Sequence, residues 1–309
     1  MDKLIILTGP TAVGKSDLSI SLAKRIGGEI ISADSIQVYK GLDIGSAKIT
    51  KKEMHGVNHY LIDVLDPKED FNIYIFKEMA KEAIDKIYSN GKIPIIVGGT
   101  GFYIQSVIYD IDFEKEDNST IRKELEEIAD KKGSEYLHNK LKEIDETSAM
   151  KIHPNNIKRI IRAIEFYKLN NRPISEHNET ERDKEPVYDV NYFVLNDKRE
   201  LLYERINKRV DIMIEQGLVD EVKNLMEQGI DESYNSMQGI GYKEIVSYLN
   251  GKISLEQAVE DIKKNTRHFA KRQLTWFRRE KDVKWIEKYE FNYDNERILS
   301  YMTEVMNND

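Results

Sequence analysis

The 309-residue chain is 40% hydrophobic and 33% charged, a globular composition with a heavily solvated surface and length for about two domains. Its formal charge of −8 excludes a uniformly basic nucleic-acid binder, and the lack of cysteine excludes disulfides and thiolate metal sites while fitting a reducing, cytoplasmic setting. No run approaches a membrane span, and the apolar residues 4–7 are too few for a signal peptide, so no membrane partner is expected.

Residues 4–7 read as a first core strand that runs into Gly9, Pro10, Thr11, Ala12, Val13, Gly14, Lys15 and Ser16, with an amphipathic helix from Asp17. A strand, a glycine loop closing on Lys-Ser and a helix are the sequence form of a P-loop, whose backbone N–H groups and helix N-terminus cradle phosphate oxygens. Lys15 is expected to reach the phosphates and the Ser16 hydroxyl to ligate Mg2+. Most P-loops hold a nucleotide such as ATP, but the motif does not name its phosphate.

Residues 29–33 read as a second strand with Asp34 at its carboxyl end, and in an open parallel sheet that end faces the ligand crevice. Position alone leaves Asp34 open between a catalytic carboxylate and a cap or turn residue. A glycine-punctuated loop with two lysines, 39–48, is too long for a simple connection. Residues 58–64 read as a third strand ending at Asp63, a weak candidate for a metal-holding aspartate. His55 and His59 stand four apart, yet Gly56 and Asn58 spoil a helix there and no third ligand is evident, so zinc is not expected. A helix over 71–90 and a strand over 93–97 lead to Gly98, Gly99, Thr100 and Gly101, which bring the Thr100 hydroxyl toward the crevice of Asp34.

The alternation then stops. Three helices, over 119–132, 134–144 and 155–169, and a charged loop around 182–185 read as an all-helical insertion, residues 114–188, between core parts 1–113 and 189–309. Residues 190–195 read as the last core strand, followed by helices over 199–216 and 218–227. Gln238–Lys243 reads as a glycine-rich turn, Ser254 with Gln257 opens a long helix to about residue 281, and a terminal helix covers 293–306. From Lys263 to Lys281 there are eight Lys and Arg residues against one acid, Glu280. At ~100° per residue Lys264, Arg267, Lys271 and Arg278 share a sector of about 60°, opposite Ile262, Phe269, Gln273 and Trp276. Such a stripe suits a nucleic-acid backbone better than a small substrate. Asn207-Lys208 continues as Arg209-Val210, so no guanine-recognition motif is formed. The residues alone leave open an RNA-directed enzyme, a P-loop small-molecule kinase with Asp34 activating a hydroxyl, and an RNA-binding protein without catalysis.

The segments GPTAVGKS (9–16), DSIQVYKGLDIGSAK (34–48), HYLIDVLDP (59–67), VGGTG (97–101), RIIRAIE (159–165), GIGYK (239–243) and KRQLTWFR (271–278) resemble, in order and over nearly the whole chain, the motif series of the bacterial tRNA dimethylallyltransferases. Ser46, where threonine is common, is a conservative departure. The resemblance implies a P-loop kinase-like α/β core with an inserted helical domain. It implies transfer of the dimethylallyl group of dimethylallyl diphosphate to N6 of the adenosine 3′ of the anticodon, with Mg2+ as cofactor. By the same resemblance Asp34 is the general base, Thr100 and Arg209 act at the diphosphate, and Gly9 through Ser16 hold it, with Arg205 a rival to Arg209. Matching the family's tRNA contacts are Asp34, Ser35, Ile36, Gln37, Thr100, Arg122, Lys158, Arg159, Ile160, Ile161 and Arg162. So do Gln238, Gly239, Ile240, Gly241, Tyr242, Lys243, Lys271, Arg272, Gln273, Leu274, Thr275, Trp276, Phe277 and Arg278. The expected partners are the tRNA anticodon stem-loop and the diphosphate, and the expected working unit is a monomer.

Overall fold

The structure, a computed structural model, describes residues 1–113 and 119–308. It divides into two units, Met1–Asp110 with Val187–Asp309, and Ile111–Pro186. The start of the insertion expected at residue 114 lies outside the described residues.

The larger unit is built on six strands, β1 (Lys3–Thr8), β2 (Gly28–Ala33), β3 (His59–Tyr60), β4 (Ile93–Gly98), β5 (Asp189–Asn196) and β6 (Val283–Glu287). They form one sheet in the order β3-β2-β4-β1-β5-β6, every pair parallel. Its helices are α1 (Lys15–Ile26), α2 (Ile73–Ser89) and α3 (Gly101–Ile108), then, after the helices of the second unit, α9 (Arg199–Glu215), α10 (Leu218–Glu227), α11 (Tyr242–Leu249), α12 (Leu255–Phe277) and α13 (Asn295–Asn308).

A parallel sheet is covered on both faces, so its strands read as continuous apolar runs. In β1, Leu4 and Ile6 pack with Ile84 of α2, Ile104 of α3 and Phe277 of α12, while Ile5 and Leu7 pack with Leu18 and Leu22 of α1 and Met302 of α13. All four β1 residues are fully buried, each contributing about 1.5–3 kcal/mol. Because every neighbouring pair is parallel, the carboxyl ends of the strands fall together on one edge.

Sequence and structure part at several places. The strand expected over 58–64 shrinks to His59–Tyr60, because Leu61 (φ 62°) and Asp63 (φ 54°) turn left-handed. Residues 190–195 are not the last core strand, since β6 adds outside β5, pairing Val194 with Trp285. The long helix ends at Phe277, short of residue 281. Its start is as expected, with the Ser254 hydroxyl accepting the Gln257 N–H.

Among its described residues the smaller unit holds five helices, α4 (Ser119–Lys132), α5 (Ser134–Ile144), α6 (Glu146–Lys151), α7 (Ile157–Asn170) and α8 (Ile174–Arg182), where the sequence suggested three. Leu125, Leu137, Leu141, Ile160 and Ile164 form its core. Buried Asp145 explains the short α6: its carboxylate accepts Ser148 N–H (2.9 Å) and Ser148 Oγ–H (2.7 Å), and Ser175 N–H (3.0 Å) and Oγ–H (2.8 Å), tying α6 to α8. Among the described residues of either unit, no helix is long and apolar enough to cross a membrane.

Candidate functional site

Register brings the chemistry of the larger unit together. Thr8 pairs with Gly98 and Gly98 with Ala33, so β1, β4 and β2 end level, and the next residues, Gly9, Gly99 and Asp34, leave the sheet side by side. A Cβ on Gly9 would lie 2.2 Å from the Leu195 carbonyl oxygen, so only glycine lets the chain turn there (φ 144°). The loop re-enters helix at Gly14 (φ 96°), and no side chain caps the N-terminal N–H groups of α1. That end is an uncapped positive pole.

Lys15 folds back over this loop and donates to the carbonyl oxygens of Gly9 (3.0 Å) and Pro10 (2.9 Å). Burial and the like charge of Arg209 push its ammonium down to about 7, against a smaller opposing pull from Asp34. Arg205, the alternative to Arg209, is committed elsewhere: it pairs with the buried Asp197 carboxylate at 2.5 Å. The chemistry of the loop is therefore a set of donors and two cations whose mutual repulsion an anion would relieve.

Asp34 is fixed by its own turn, Oδ1 accepting the N–H groups of Ile36 (2.8 Å) and Gln37 (3.2 Å). Cap geometry and a chemical role thus coexist in one residue. Thr100 sits at the N-cap of α3 with no side-chain cap bond. Half-buried Ser35, Ile36 and Gln37 follow Asp34, and Gln37 Nε2 donates to the Ser46 carbonyl oxygen (3.2 Å).

The loop over 39–48 is held by groups the sequence gave no reason to single out. The Glu221 carboxylate of α10 accepts the N–H groups of Asp43 (3.0 Å), Ile44 (2.7 Å) and Gly45 (3.1 Å) and the Tyr242 hydroxyl (2.8 Å). Lys48 lies inside it, pairing with Asp43 (2.7 Å) and Asp63 (2.5 Å). Asp63 is therefore a structural partner, not a metal-holding strand end. His59 is likewise occupied, its Nδ1 2.9 Å from the Val57 carbonyl oxygen.

The segments expected to meet tRNA divide by face. On α12, Lys264, Lys271, Arg272, Thr275 and Arg278 are exposed, and His268, Lys271, Arg272, Thr275, Trp276 and Arg279 line a depression of about 410 Å³. Arg267 donates to Asn207 Oδ1 (2.5 Å), and Leu274 is half-buried. Two other residues of the stretch turn inward: Phe277 is fully buried in the core, and Gln273, on the face opposite the stripe, is 5% exposed. Gln273 instead spans two loops, Oε1 accepting the Thr11 N–H (2.9 Å) and Nε2 donating to the Gly99 carbonyl oxygen (3.0 Å). Tyr242 also turns inward, its ring buried under Gly45 and its hydroxyl donating to Glu221, and the Gly241 N–H is taken by Glu244 (2.8 Å). Gln238 and Lys243 are exposed, while Gly239 and Ile240 are half-buried, Gly239 lying against Ile36.

In the smaller unit Lys158 and Arg159 are exposed and Arg162 is half-buried. Between these basic residues, Ile160 and Ile161 turn their side chains into the core of the unit. Exposed Arg122 pairs with buried Glu165 of α7 at 2.6 Å. Among the described residues of the chain, no group of three His, Asp or Glu side chains could hold a metal ion.

Comparison with known proteins agrees over the whole chain. Residues 37–280 match the IPP transferase family and residues 2–67 the isopentenyl transferase family. The chain is 60% identical to the tRNA dimethylallyltransferase of Lachnoclostridium phytofermentans, over 99% of this chain and 98% of that one. It superposes on the tRNA delta(2)-isopentenylpyrophosphate transferase of Staphylococcus epidermidis with a TM-score of 0.74 at 44% identity, covering both chains completely. A eukaryotic dimethylallyltransferase acting on tRNA gives a TM-score of 0.78 at 31% identity, over 93% of this chain and 74% of that one.

Proposed function

The chain belongs to the tRNA dimethylallyltransferase (IPP transferase) family and transfers a dimethylallyl group to an adenosine of tRNA, and from that premise we propose how its residues divide the work. The donor is dimethylallyl diphosphate, and the acceptor is N6 of the adenosine 3′ of the anticodon. Gly9 through Ser16 act as a P-loop for the diphosphate, with the uncapped start of α1 and Lys15 facing its oxygens. The carrying observation is the level ending of β1, β4 and β2, which sets this cradle beside Asp34 and Thr100.

An exocyclic adenine amine is a poor nucleophile. As N6 bonds to the allylic carbon, the C–O bond to the diphosphate breaks, its electron pair leaves with the diphosphate oxygen, and the amine proton passes to the Asp34 carboxylate. Lys15, Arg209 and the loop N–H groups take up the charge that develops on the leaving group, and Thr100 offers a hydroxyl on the same side. The target base leaves the anticodon loop to reach this crevice, and Ser35, Ile36 and Gln37 receive it. Lys271, Arg272 and Arg278 bind backbone phosphates, as do Arg122, Lys158, Arg159 and Arg162 of the helical unit.

Mg2+ fits this set. It keeps most of its water and takes ligands from substrate phosphates with one or two side chains, so the exposed Ser16 hydroxyl suffices where no acidic cluster is at hand. Bound there, it would neutralise charge on the diphosphate. The working unit is taken as a monomer, and the substrate argues for a cytoplasmic enzyme.

The test is incubation with Mg2+ and an unmodified anticodon stem-loop, adding either dimethylallyl diphosphate or ATP. A gain of one dimethylallyl unit on the adenosine, from the diphosphate alone, is the expected result. Phosphorylated product from ATP, or RNA binding without product, would sink this reading.

A further inference from the structure

The reading above leaves Gln273 unused. It sits in the middle of the basic stretch of α12, between exposed Lys271 and Arg272 on one side and exposed Thr275 and Arg278 on the other, yet its own side chain is buried. One amide closes two hydrogen bonds: Oε1 accepts from the N–H of Thr11 in the glycine loop, and Nε2 donates to the carbonyl oxygen of Gly99, which precedes Thr100. Thr11 and Gly99 lie on separate strand ends, and Gln273 is 262 and 174 residues away from them.

Chemistry restricts what could stand there. The position needs an acceptor and a donor on one planar group, which a carboxylate, a thioether or a hydrocarbon cannot supply together. Space restricts it as well, because a Cβ on Gly99 would come within 1.9 Å of Nε2 and one on Gly101 within 2.1 Å of the Trp276 ring. The inner face of α12 is thus seated directly on both loops while its outer face carries the basic stripe. A packed contact of this kind cannot shift at one face without moving at the other.

We infer that Gln273 is a positioning residue that couples RNA docking on the outer face of α12 to the setting of the glycine loop and Thr100. The inference rests on the proposed roles of the stripe and the loop. Its consequence is reciprocal: RNA tightens the binding of a diphosphate, and a diphosphate tightens the binding of RNA by the same factor, on the order of tenfold.

The experiment measures the affinity of the full-length protein for inorganic pyrophosphate with Mg2+, with and without a saturating unmodified anticodon stem-loop, and then the reverse. Wild type should show the tightening in both directions. Gln273→Met, which fills the space but makes neither bond, should bring the factor to within about twofold of unity, with each separate affinity within a few fold of wild type. Gln273→Glu keeps the acceptor for Thr11 and loses the donor to Gly99, so it should retain part of the coupling. It serves as the readout if the methionine variant does not fold. An unchanged coupling factor in either variant, or none in wild type, overturns the inference. The proposed function fails separately, if the stem-loop is bound but never prenylated.

Discussion

Two glycine-bearing loops follow β1 and β2, the strands on either side of β4, and each draws a lysine inward, but only one lysine meets counter-charges there. In the loop over 39–48, Lys48 is 4% exposed and meets two aspartates, and three consecutive N–H groups are taken by Glu221. In the loop over 9–16, Lys15 meets carbonyl oxygens only, faces the like charge of Arg209, and stands at a helix start that no side chain caps. The first loop is complete as folded. The second gathers donors and like charges that an anion would relieve, and the comparison separates a scaffold from a candidate site more sharply than glycine content or lysine count does.

The largest effect should come from the group beside the second loop. Asp34→Ala should lower prenyl transfer by about 10²–10⁴-fold while stem-loop affinity, read by filter binding, stays within a few fold. Equal losses of both would make Asp34 structural, a role its bonds to Ile36 and Gln37 also allow. The two lysines should then respond in opposite ways. Lys48→Met should cost about 1–3 kcal/mol in a urea titration and leave pyrophosphate affinity nearly unchanged, because it strips internal partners. Lys15→Met should weaken pyrophosphate binding about a hundredfold with no loss of stability, since a desolvated ammonium opposed by Arg209 is not a stabilising group. Matching stability losses would erase the distinction between the loops.

How much of this the sequence carried follows the same division. The strand ends at Gly9, Asp34 and Gly98 were legible because each combines a buried apolar run with a breaker, and register did the rest. Edge strand β6 was not, since Val283, Lys284 and Trp285 are only half-buried and mix polar with apolar residues. The division of 271–278 was legible from helical spacing, which sets Gln273 opposite the basic stripe, even though the motif as a whole reads as one tRNA-facing segment. Glu221 was the least visible: an ordinary first-turn acid of α10, it fastens the loop through three backbone groups more than 170 residues away. No side-chain pattern reports such a bond.

Glu221 offers an intermediate test. Glu221→Gln should unfasten the loop over 39–48 and, through the Gln37 bond to Ser46, disturb the segment expected to receive the base. The KM for stem-loop should rise about tenfold, with pyrophosphate affinity unaltered. A fall in pyrophosphate affinity of the same size would show that the two loops are not independent.

The smallest effect is the one most specific to Lys15. Its pKa is lowered to about 7 in the free protein, and a bound diphosphate, by adding negative charge, raises it. Below pH 7 the ammonium is already charged and binding needs no proton. Above it the neutral amine must take up a proton on binding, so affinity should fall by up to about tenfold per pH unit until the raised pKa of the complex is reached. The ligand's own titration is removed by taking the ratio of wild type to Lys15→Met between pH 6 and pH 8, where that ratio should shrink by about tenfold. Folding carries the opposite sign. A lysine whose folded pKa lies below its unfolded value destabilises the fold fully at low pH, and the cost is relieved as pH rises through about 7, so the stability gained by Lys15→Met should also shrink over this range. Calorimetry in buffers of different ionisation enthalpy would detect the proton uptake directly, and its absence would mean that Lys15 is already fully charged before any anion arrives.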